Sequence, residues 1–249
     1  MSTKVAIITD IHGNIPALQA VLEDIDRQAD VEYIYCLGDM VAIGPDTNEV
    51  LAALFERADV TMVTGNHEDA VLAVFEGREP ESRGGERAHH EWIVENTDEA
   101  FLRRLLDLPR ALRIEHEGKS LLFVHYHLDS ADNFLPIDRD PSSEKLDTIY
   151  NGDQADIVCF GHHHPVHFFE SATRTYLNPG SLGCCDRPVA RYAILNIDSQ
   201  GIAVELKEIS YDNRQFLLSY EQLGVPAREF LLMAFHGNQH MGITSEEKS

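Results

Sequence analysis

The sequence is poor in basic residues relative to acidic ones. Its 20 lysines and arginines stand against 42 aspartates and glutamates, which gives a formal net charge of −22. Such a chain repels polyanions at long range unless positive charge is gathered locally. We therefore expect no binding to nucleic-acid polymers, and a phosphate-binding site would need bound metal cations as its source of positive charge.

Long apolar runs and a disulfide framework are also missing. No stretch approaches the roughly 18 consecutive apolar residues that a membrane span requires. The first residues lead directly into a strand-like run at 5–8, without the pattern of a signal peptide. Cys36 and Cys159 lie in apolar runs, and Cys184 and Cys185 are adjacent, so we interpret the cysteines as free thiols. These features predict a cytoplasmic protein without a membrane partner.

Short apolar runs alternate with helical patterns through the first third of the chain. This order is typical of βαβ units and a largely parallel sheet. We predict strands at 4–9, 32–36 and 60–63, a helix that begins near Ile15, and a second helix at 47–57. Asn14 is the predicted N-cap of the first helix, because its side chain can accept a hydrogen bond from the first turn.

The second half of the chain is rich in β pattern. Apolar runs predict one helix near 142–150 and further strands at 110–116, 119–125, 156–160, 166–170, 174–177, 190–197 and 201–209. The segment between the two halves is helical. We predict a single domain over 1–235, in which 77–107 could form a small helical cap, followed by a mobile tail over 236–249.

Polar residues that can bind metals follow five of the predicted strands, at the points where each strand ends. Ligands of open α/β sheets bind outside the carboxyl ends of the strands, so these residues should converge. Mixed nitrogen and oxygen ligation suits Mn, Fe or Zn better than Ca. The predicted ligands are Asp10, His12, Asp39, Asn66, His125, His162 and His164.

The spacing within these segments carries further information. Residues i and i+2 of an extended segment share a face, so Asp10 and His12 could act together, and His162 and His164 could each give an imidazole to one of two ions. By the same argument His127 would point the same way as His125. We prefer His125 because it lies nearer the strand end, and the alternative is left open.

Glycine precedes two of the predicted ligands. Gly38 lets the backbone turn tightly before Asp39 and leaves that carboxylate free to bridge two ions. Gly65 precedes Asn66, which offers a neutral carbonyl oxygen. The other histidines are interpreted as surface or core residues, and they include His89, His90, His116, His163 and His167.

In this order, the segments resemble the calcineurin-like metallophosphoesterases over about residues 5–183. The shared pattern is Asp-x-His, Gly-Asp, Gly-Asn-His, a lone His, and Gly-His-x-His. The segments at 10–14, 38–45 and 178–181 are more narrowly similar to a bacterial branch with small phosphodiesterases and diadenosine polyphosphate hydrolases. The resemblance implies an α/β fold, a four-layer α-β-β-α sandwich with two packed mixed sheets.

The resemblance also implies roles for individual residues. One metal ion would be held by Asp10, His12 and His164, the other by Asn66, His125 and His162, with Asp39 bridging them. The ions would be divalent or trivalent, with Mn, Fe or Zn favoured. His67 would stabilise developing charge and protonate the leaving oxygen. By analogy, Asn14 would contact the substrate, whereas Asn178, Gly180 and Ser181 could line the site or simply make a turn before Leu182.

One departure narrows the expected function. Phosphoprotein phosphatases of this superfamily carry Asp and Arg three and four residues after the bridging Asp, where this chain has Ala42 and Ile43. The carboxylate that would orient His67 and the arginine that would grip phosphate are absent there. We therefore predict a hydrolase of phosphate esters or phosphoanhydrides in small molecules, a phosphodiesterase or a dinucleoside polyphosphate hydrolase.

Other functions remain as alternatives. They are a phosphomonoesterase or phosphoprotein phosphatase, a nuclease of the same superfamily, and a scaffold protein that keeps the fold with an idle metal site. A basic groove would favour the nuclease, but the acidic composition disfavours it. A homo-oligomer is left open.

Overall fold

The computed structural model describes residues 2–243, which form ten strands and eight α-helices. The strands are β1 (Ser2–Ile8), β2 (Val31–Cys36), β3 (Val60–Met62), β4 (Ala111–His116), β5 (Lys119–Val124), β6 (Ile157–Cys159), β7 (His167–Glu170), β8 (Thr175–Asn178), β9 (Val189–Asp198) and β10 (Ile202–Ser210). The helices are α1 (Ile15–Asp26), α2 (Thr47–Phe55), α3 (Asn66–Phe75), α4 (Gly84–Asn96), α5 (Glu99–Leu105), α6 (Ser143–Ile149), α7 (Arg214–Gln222) and α8 (Arg228–His236). No helix in this part of the chain combines the length and hydropathy that a membrane crossing needs.

The strands of the described region form two five-stranded sheets. The first has the order β10-β9-β1-β2-β3, and the second has the order β4-β5-β6-β8-β7. In the first sheet β1, β2 and β3 are parallel, and β9 is antiparallel to both β1 and β10. In the second sheet β5, β6 and β8 are parallel, with antiparallel strands at both edges. Both sheets are therefore mixed, as predicted.

The two sheets pack face to face and carry helices on their outer faces. Side chains alternate between the faces of a strand. On β1, Val5 and Ile7 are buried in the cluster shared with the second sheet, whereas Ala6 and Ile8 are buried in the cluster that contains α1 and α2. Leu146 of α6 packs on the outer face of the second sheet. This arrangement confirms the predicted α-β-β-α sandwich.

The first helix begins as the sequence predicts. The side chain of Asn14 accepts a hydrogen bond from the backbone N–H of Ala17 at 3.1 Å, and Pro16 lies in the first turn. Proline is tolerated there because its missing N–H has no partner within the helix. The end of β1 is thereby joined to α1 by a short loop, and that loop contains Asp10 and His12.

The helical segment predicted over 77–107 contains α4 and α5. Helix α4 packs along α3, which begins at Asn66. A distant part of the chain is thus brought beside the loop after β3.

The C-terminal region differs from the prediction. Helices α7 and α8 were not predicted, and the expected mobile tail does not begin at His236. That residue is buried and its Nε2 lies 2.8 Å from the hydroxyl of Tyr220. A 3-10 helix follows at Gln239–Gly242, and Ile243 packs against α7 and α8. The remaining predicted tail, 244–249, lies outside the described residues.

Candidate metal centre and active site

The seven predicted metal ligands meet between the carboxyl ends of the two sheets. We call Asp10, His12 and His164 the first donor group. His12 Nε2 lies 3.0 Å from His164 Nε2, and Asp10 Oδ1 lies 3.7 Å and 3.6 Å from these two nitrogens. All three donor atoms therefore face a common point.

The second donor group consists of Asn66, His125 and His162. His125 Nε2 lies 2.9 Å from Asn66 Oδ1 and 3.2 Å from Asp39 Oδ2. Donor atoms of Asp39, His125 and His162 all lie within 4.8 Å of one another. Asp39 Oδ2 is also 3.9 Å from His12 Nε2, so this carboxylate lies between the two groups.

Backbone carbonyls orient two of the imidazoles toward these points. His12 Nδ1 lies 3.3 Å from the carbonyl oxygen of Val41, and His125 Nδ1 lies 2.8 Å from that of Leu37. A carbonyl can only accept, so Nδ1 donates to it, and Nε2 is the ring nitrogen that faces the donor group. This is the arrangement of a metal-ligating histidine, and the residues present therefore fit metal ions.

The pKa values of the two carboxylates at the donor groups show that these sites favour nearby positive charge. Burial would raise the pKa of Asp39, but His125 and His67 hold it well below its usual value. Burial likewise opposes ionisation of Asp10, yet His12 and His164 lower its pKa to about 2. Two buried carboxylates thus stay ionised because histidines beside them supply positive charge, and bound cations could supply the same compensation.

His127 lies away from the donor groups. Its Nδ1 is 2.9 Å from the hydroxyl of Tyr150, and its ring packs against Phe160. The chain after β5 bends, so the alternation of an extended strand does not continue to this residue. The structure therefore brings His125, and not His127, into the second donor group.

Five of the seven predicted ligands adopt a left-handed backbone conformation. They are Asp10 (φ 53°), His12 (φ 50°), Asp39 (φ 51°), His162 (φ 68°) and His164 (φ 63°). Non-glycine residues with positive φ are uncommon and cluster at functional sites. The loops are turns and not extended segments. The argument that residues i and i+2 share a face, which was used to predict these ligands, is therefore wrong here. His162 and His164 nevertheless reach different groups.

Glycines allow the loops to approach closely. Gly38 has φ +88°, and a Cβ atom there would lie 2.7 Å from the backbone nitrogen of Gly65. A Cβ at Gly65 would lie 2.2 Å from Asp39 Oδ1. The glycines of the Gly-Asp and Gly-Asn segments are therefore required by contact between the two loops as well as by turning.

Glu68 is a buried carboxylate whose role the sequence analysis missed. Its oxygens accept hydrogen bonds from the backbone N–H groups of Asp39, Met40, Val41 and Gly65 at 2.7–3.1 Å. Burial and the nearby Asp39 raise its pKa to about 7. Glu68 thus holds the Asp39 loop against the start of α3. The only sequence signal was its position directly after Gly65-Asn66-His67.

His67 lies at the edge of the donor groups. Its backbone N–H donates to Asp39 Oδ1 at 2.9 Å, and its ring centre is 5.2 Å from that of His12. Its Nδ1 lies 2.9 Å from Nε2 of His90, whose Nδ1 lies 3.0 Å from Ser82 Oγ. His90 was interpreted as an ordinary histidine, because only the packing of α4 on α3 reveals this contact.

The four residues predicted to contact substrate lie behind the donor loops. Asn14 Nδ2 donates to the carbonyl of Gly183, and Asn178 Nδ2 donates to that of Gly161. Ser181 Oγ donates to the carbonyl of Asp10 at 2.7 Å, and the N–H of Gly180 donates to Asn178 Oδ1. The side chains of Asn14, Asn178 and Ser181 are buried. Their polar atoms are engaged in holding the loops.

The cysteines are free thiols, as predicted. Cys184 is buried beside the first donor group, where its Sγ lies within 4.8 Å of donor nitrogens of His12 and His164.

Known proteins share this architecture. The sequence pattern of the calcineurin-like phosphoesterase superfamily domain matches residues 3–200. An uncharacterised protein of Methanocaldococcus jannaschii is 25% identical over 241 residues, which are 90% of this chain and 93% of that protein. The metallophosphoesterase of Sphaerobacter thermophilus matches with a TM-score of 0.72 and 22% identity over 94% of this chain and 98% of that chain, which supports the fold.

A relative with a named substrate matches over a shorter region. The symmetrical bis(5'-nucleosyl)-tetraphosphatase of Klebsiella pneumoniae is 32% identical over 120 residues, which are 48% of this chain and 41% of that enzyme. This chain thus matches less than half of the length of that relative. The match to the superfamily domain covers most of the chain. Together with the donor groups, it identifies the protein as a metal-dependent phosphoester hydrolase. The chain belongs to the calcineurin-like phosphoesterase superfamily.

Proposed function

We propose that the protein is a dinuclear metal hydrolase of small phosphorylated molecules, either phosphodiesters or dinucleoside polyphosphates. The first donor group would hold one ion, the second would hold the other, and Asp39 would bind both. The observation that carries this proposal is the position of Asp39 between two groups of inward-facing donors, at 3.2 Å from His125 Nε2 and 3.9 Å from His12 Nε2.

The chemistry that bound cations supply is neutralisation of phosphoryl oxygens and a lowered pKa for an attacking water. The residues of the chain position that chemistry. Glu68 fixes the loop that carries Asp39, and backbone carbonyls fix the rings of His12 and His125. We assign protonation of the leaving oxygen to His67, a contribution of roughly 10² to 10⁴-fold.

The choice of substrate rests on four observations. The Klebsiella relative is named for a dinucleoside tetraphosphate, and an open cleft beside the second donor group has room for a small molecule. The net charge of −22 disfavours a nucleic-acid polymer. With Ala42 and Ile43 after the Asp39 loop, a phosphoprotein substrate is also disfavoured.

Metal analysis and turnover of the Mn-loaded protein test the proposal. We expect hydrolysis of bis(p-nitrophenyl) phosphate or diadenosine tetraphosphate that chelator abolishes. His125→Ala should lose bound metal and activity, whereas the matched control His127→Ala, from the same loop, should keep both. Unchanged binding of both ions in Asp39→Asn would refute the bridging role. If no phosphate ester were hydrolysed with any metal, the scaffold alternative would be favoured.

A further inference from the structure

An open cleft leads away from the second donor group. Its volume is ≈ 860 Å³, which is within the range of small-molecule sites. Asn66 and His162 of the second donor group line it, and so do Arg110 and Phe134. The cleft therefore continues directly from the place where the reacting phosphate would bind.

Arg110 brings a positive charge to this cleft. Its guanidinium carbon lies 4.8 Å from the ring centre of Phe134, and that ring centre lies 5.8 Å from the ring centre of His125. A single aromatic ring thus separates the guanidinium from the second donor group. The Nη2 atom of Arg110 lies 2.7 Å from Asp69 Oδ2, and the arginine side chain is 35% exposed.

We propose that Arg110 binds a second phosphate group of the substrate, beyond the phosphate held at the donor groups. This inference rests on the proposed function and narrows its substrate class to molecules with linked phosphates. A guanidinium presents N–H groups in a planar fork that matches phosphate oxygens, and stacking on Phe134 keeps this fork in one orientation. Asp69 holds the guanidinium at the cleft before the substrate arrives. Arg110 thus supplies a positive charge at the cleft, at a distance from the donor groups that leaves room for the first phosphate.

Binding of AMP and ADP tests this inference, because the two probes differ only in the second phosphate. Their dissociation constants are measured by calorimetry on the Mn-loaded protein and on Arg110→Ala, Arg110→Lys and Arg113→Ala. Arg110→Ala should weaken ADP binding roughly tenfold or more, the effect of losing a charge-assisted hydrogen bond, and should change AMP binding less than about twofold. Arg110→Lys should lie between, since lysine keeps the charge and loses the fork.

Arg113 is the matched control. It lies on the same strand-forming segment, but its side chain contacts Asp153 and lines a different depression. Arg113→Ala should leave both constants unchanged. Equal weakening of AMP and ADP by Arg110→Ala, or wild-type protein that does not prefer ADP, would overturn the inference. Failure of the proposed function would instead appear as absence of metal-dependent hydrolysis of bis(p-nitrophenyl) phosphate.

A separate observation concerns His67. Its Nδ1 lies 2.9 Å from His90 Nε2, and the other nitrogen of His90 lies 3.0 Å from Ser82 Oγ. His90 and Ser82 are both buried. The contact leaves Nε2 as the nitrogen of His67 that is free to meet a substrate.

The geometry assigns His90 as a positioning residue for His67, with Ser82 holding His90 in turn. The carboxylate expected to orient His67 is replaced by Ala42 in this chain, and His90 makes the equivalent hydrogen bond from α4. A ring held at Nδ1 keeps its Nε2 directed at the leaving oxygen, and proton donation matters more for a poor leaving group than for a good one. This assignment also rests on the proposed function.

A leaving-group comparison and a double-mutant cycle test the assignment. His90→Ala should lower kcat for both a phenyl phosphate ester and the corresponding p-nitrophenyl phosphate ester. The decrease should be at least about tenfold larger for the phenyl ester, with little change in KM. His90→Asn should restore part of the loss, because an amide can still meet His67 Nδ1. The double variant with His67→Ala should be no slower than His67→Ala alone.

His89→Ala is the control, since His89 is also buried on α4 but packs against Trp92. It should keep the leaving-group dependence of the wild type. Additive effects of His67→Ala and His90→Ala, or an equal loss for both esters, would overturn the assignment and leave His90 with a purely structural role.

Discussion

The donor loops and the cleft wall are built in different ways. Glu68 holds the Asp39 loop through backbone N–H groups, and backbone carbonyls hold the rings of His12 and His125. Arg110 instead is held at the cleft by a half-buried ion pair and one ring face. Backbone contacts leave a side chain little freedom, whereas the cleft wall can be altered without moving the loops. Metal binding should thus be sensitive to substitution, and substrate preference should be adaptable.

The largest expected effect comes from breaking the donor loops at Gly65. In Gly65→Ala, the new Cβ would meet Asp39 Oδ1 at 2.2 Å and the backbone nitrogen of Asp39 at 2.6 Å. The loop must move, so we expect loss of metal and activity and a stability loss of about 2–4 kcal/mol in urea unfolding. Gly201→Ala is the control, because a Cβ there meets nothing within 4 Å. Full metal content in Gly65→Ala would contradict this account of the loop.

A smaller effect is expected from Glu68→Gln. The amide has a similar shape, but its NH₂ group cannot accept from backbone N–H groups, so at least one buried donor loses its partner. This should cost about 1–3 kcal/mol of stability and weaken metal binding while the overall fold persists. Unfolding of the metal-free protein and metal titration measure the two effects separately. Stability equal to that of the wild type would show that the four hydrogen bonds do not hold the loop.

Acid stability probes the packing behind the first donor group. Burial lowers the pKa of His236 to about 3, below the usual value of 6.5. The folded state binds this proton less readily than the unfolded state. The contribution of His236 to the free energy of unfolding is therefore complete above pH 6.5. It decreases as the pH drops toward 3, by at most about 1.4 kcal/mol per pH unit. His236→Gln removes this contribution. When the pH is lowered from 8 to 5 without metal, the wild type should therefore lose more stability than the variant.

The smallest effect should come from the cleft wall. Phe134→Leu keeps an apolar side chain but removes the ring that contacts Arg110 and His125. We expect KM for diadenosine tetraphosphate to rise severalfold, since an exposed cation–π contact is worth about 0.5–1 kcal/mol. Metal content and unfolding should remain those of the wild type. A loss of metal in this variant would erase the distinction between the two regions.

Residues that follow strand ends were accessible to sequence reasoning, and residues that meet through helix packing were not. The seven donors stand after apolar runs in Asp-x-His and glycine-containing segments, and all seven converge in the structure. His90 and Arg110 come to the site from α4 and from the segment before β4, and nothing local distinguishes them from other histidines and arginines. Helices α7 and α8 were not predicted. In α8 the apolar residues Phe230 and Met233 are exposed beside the buried Leu231 and Leu232, so the sequence there shows no clear helical spacing.

The left-handed backbone at the donor loops limits which replacements can be interpreted. Asparagine, aspartate and histidine are several-fold enriched in this conformation among non-glycine residues, and β-branched side chains tolerate it poorly. At Asp10 and Asp39, a change to asparagine therefore removes the charge but keeps the left-handed backbone conformation. Valine or threonine would also disrupt that conformation. A saturation library screened only for folded protein should return asparagine and glycine at these positions and exclude isoleucine, even before any demand for turnover is imposed.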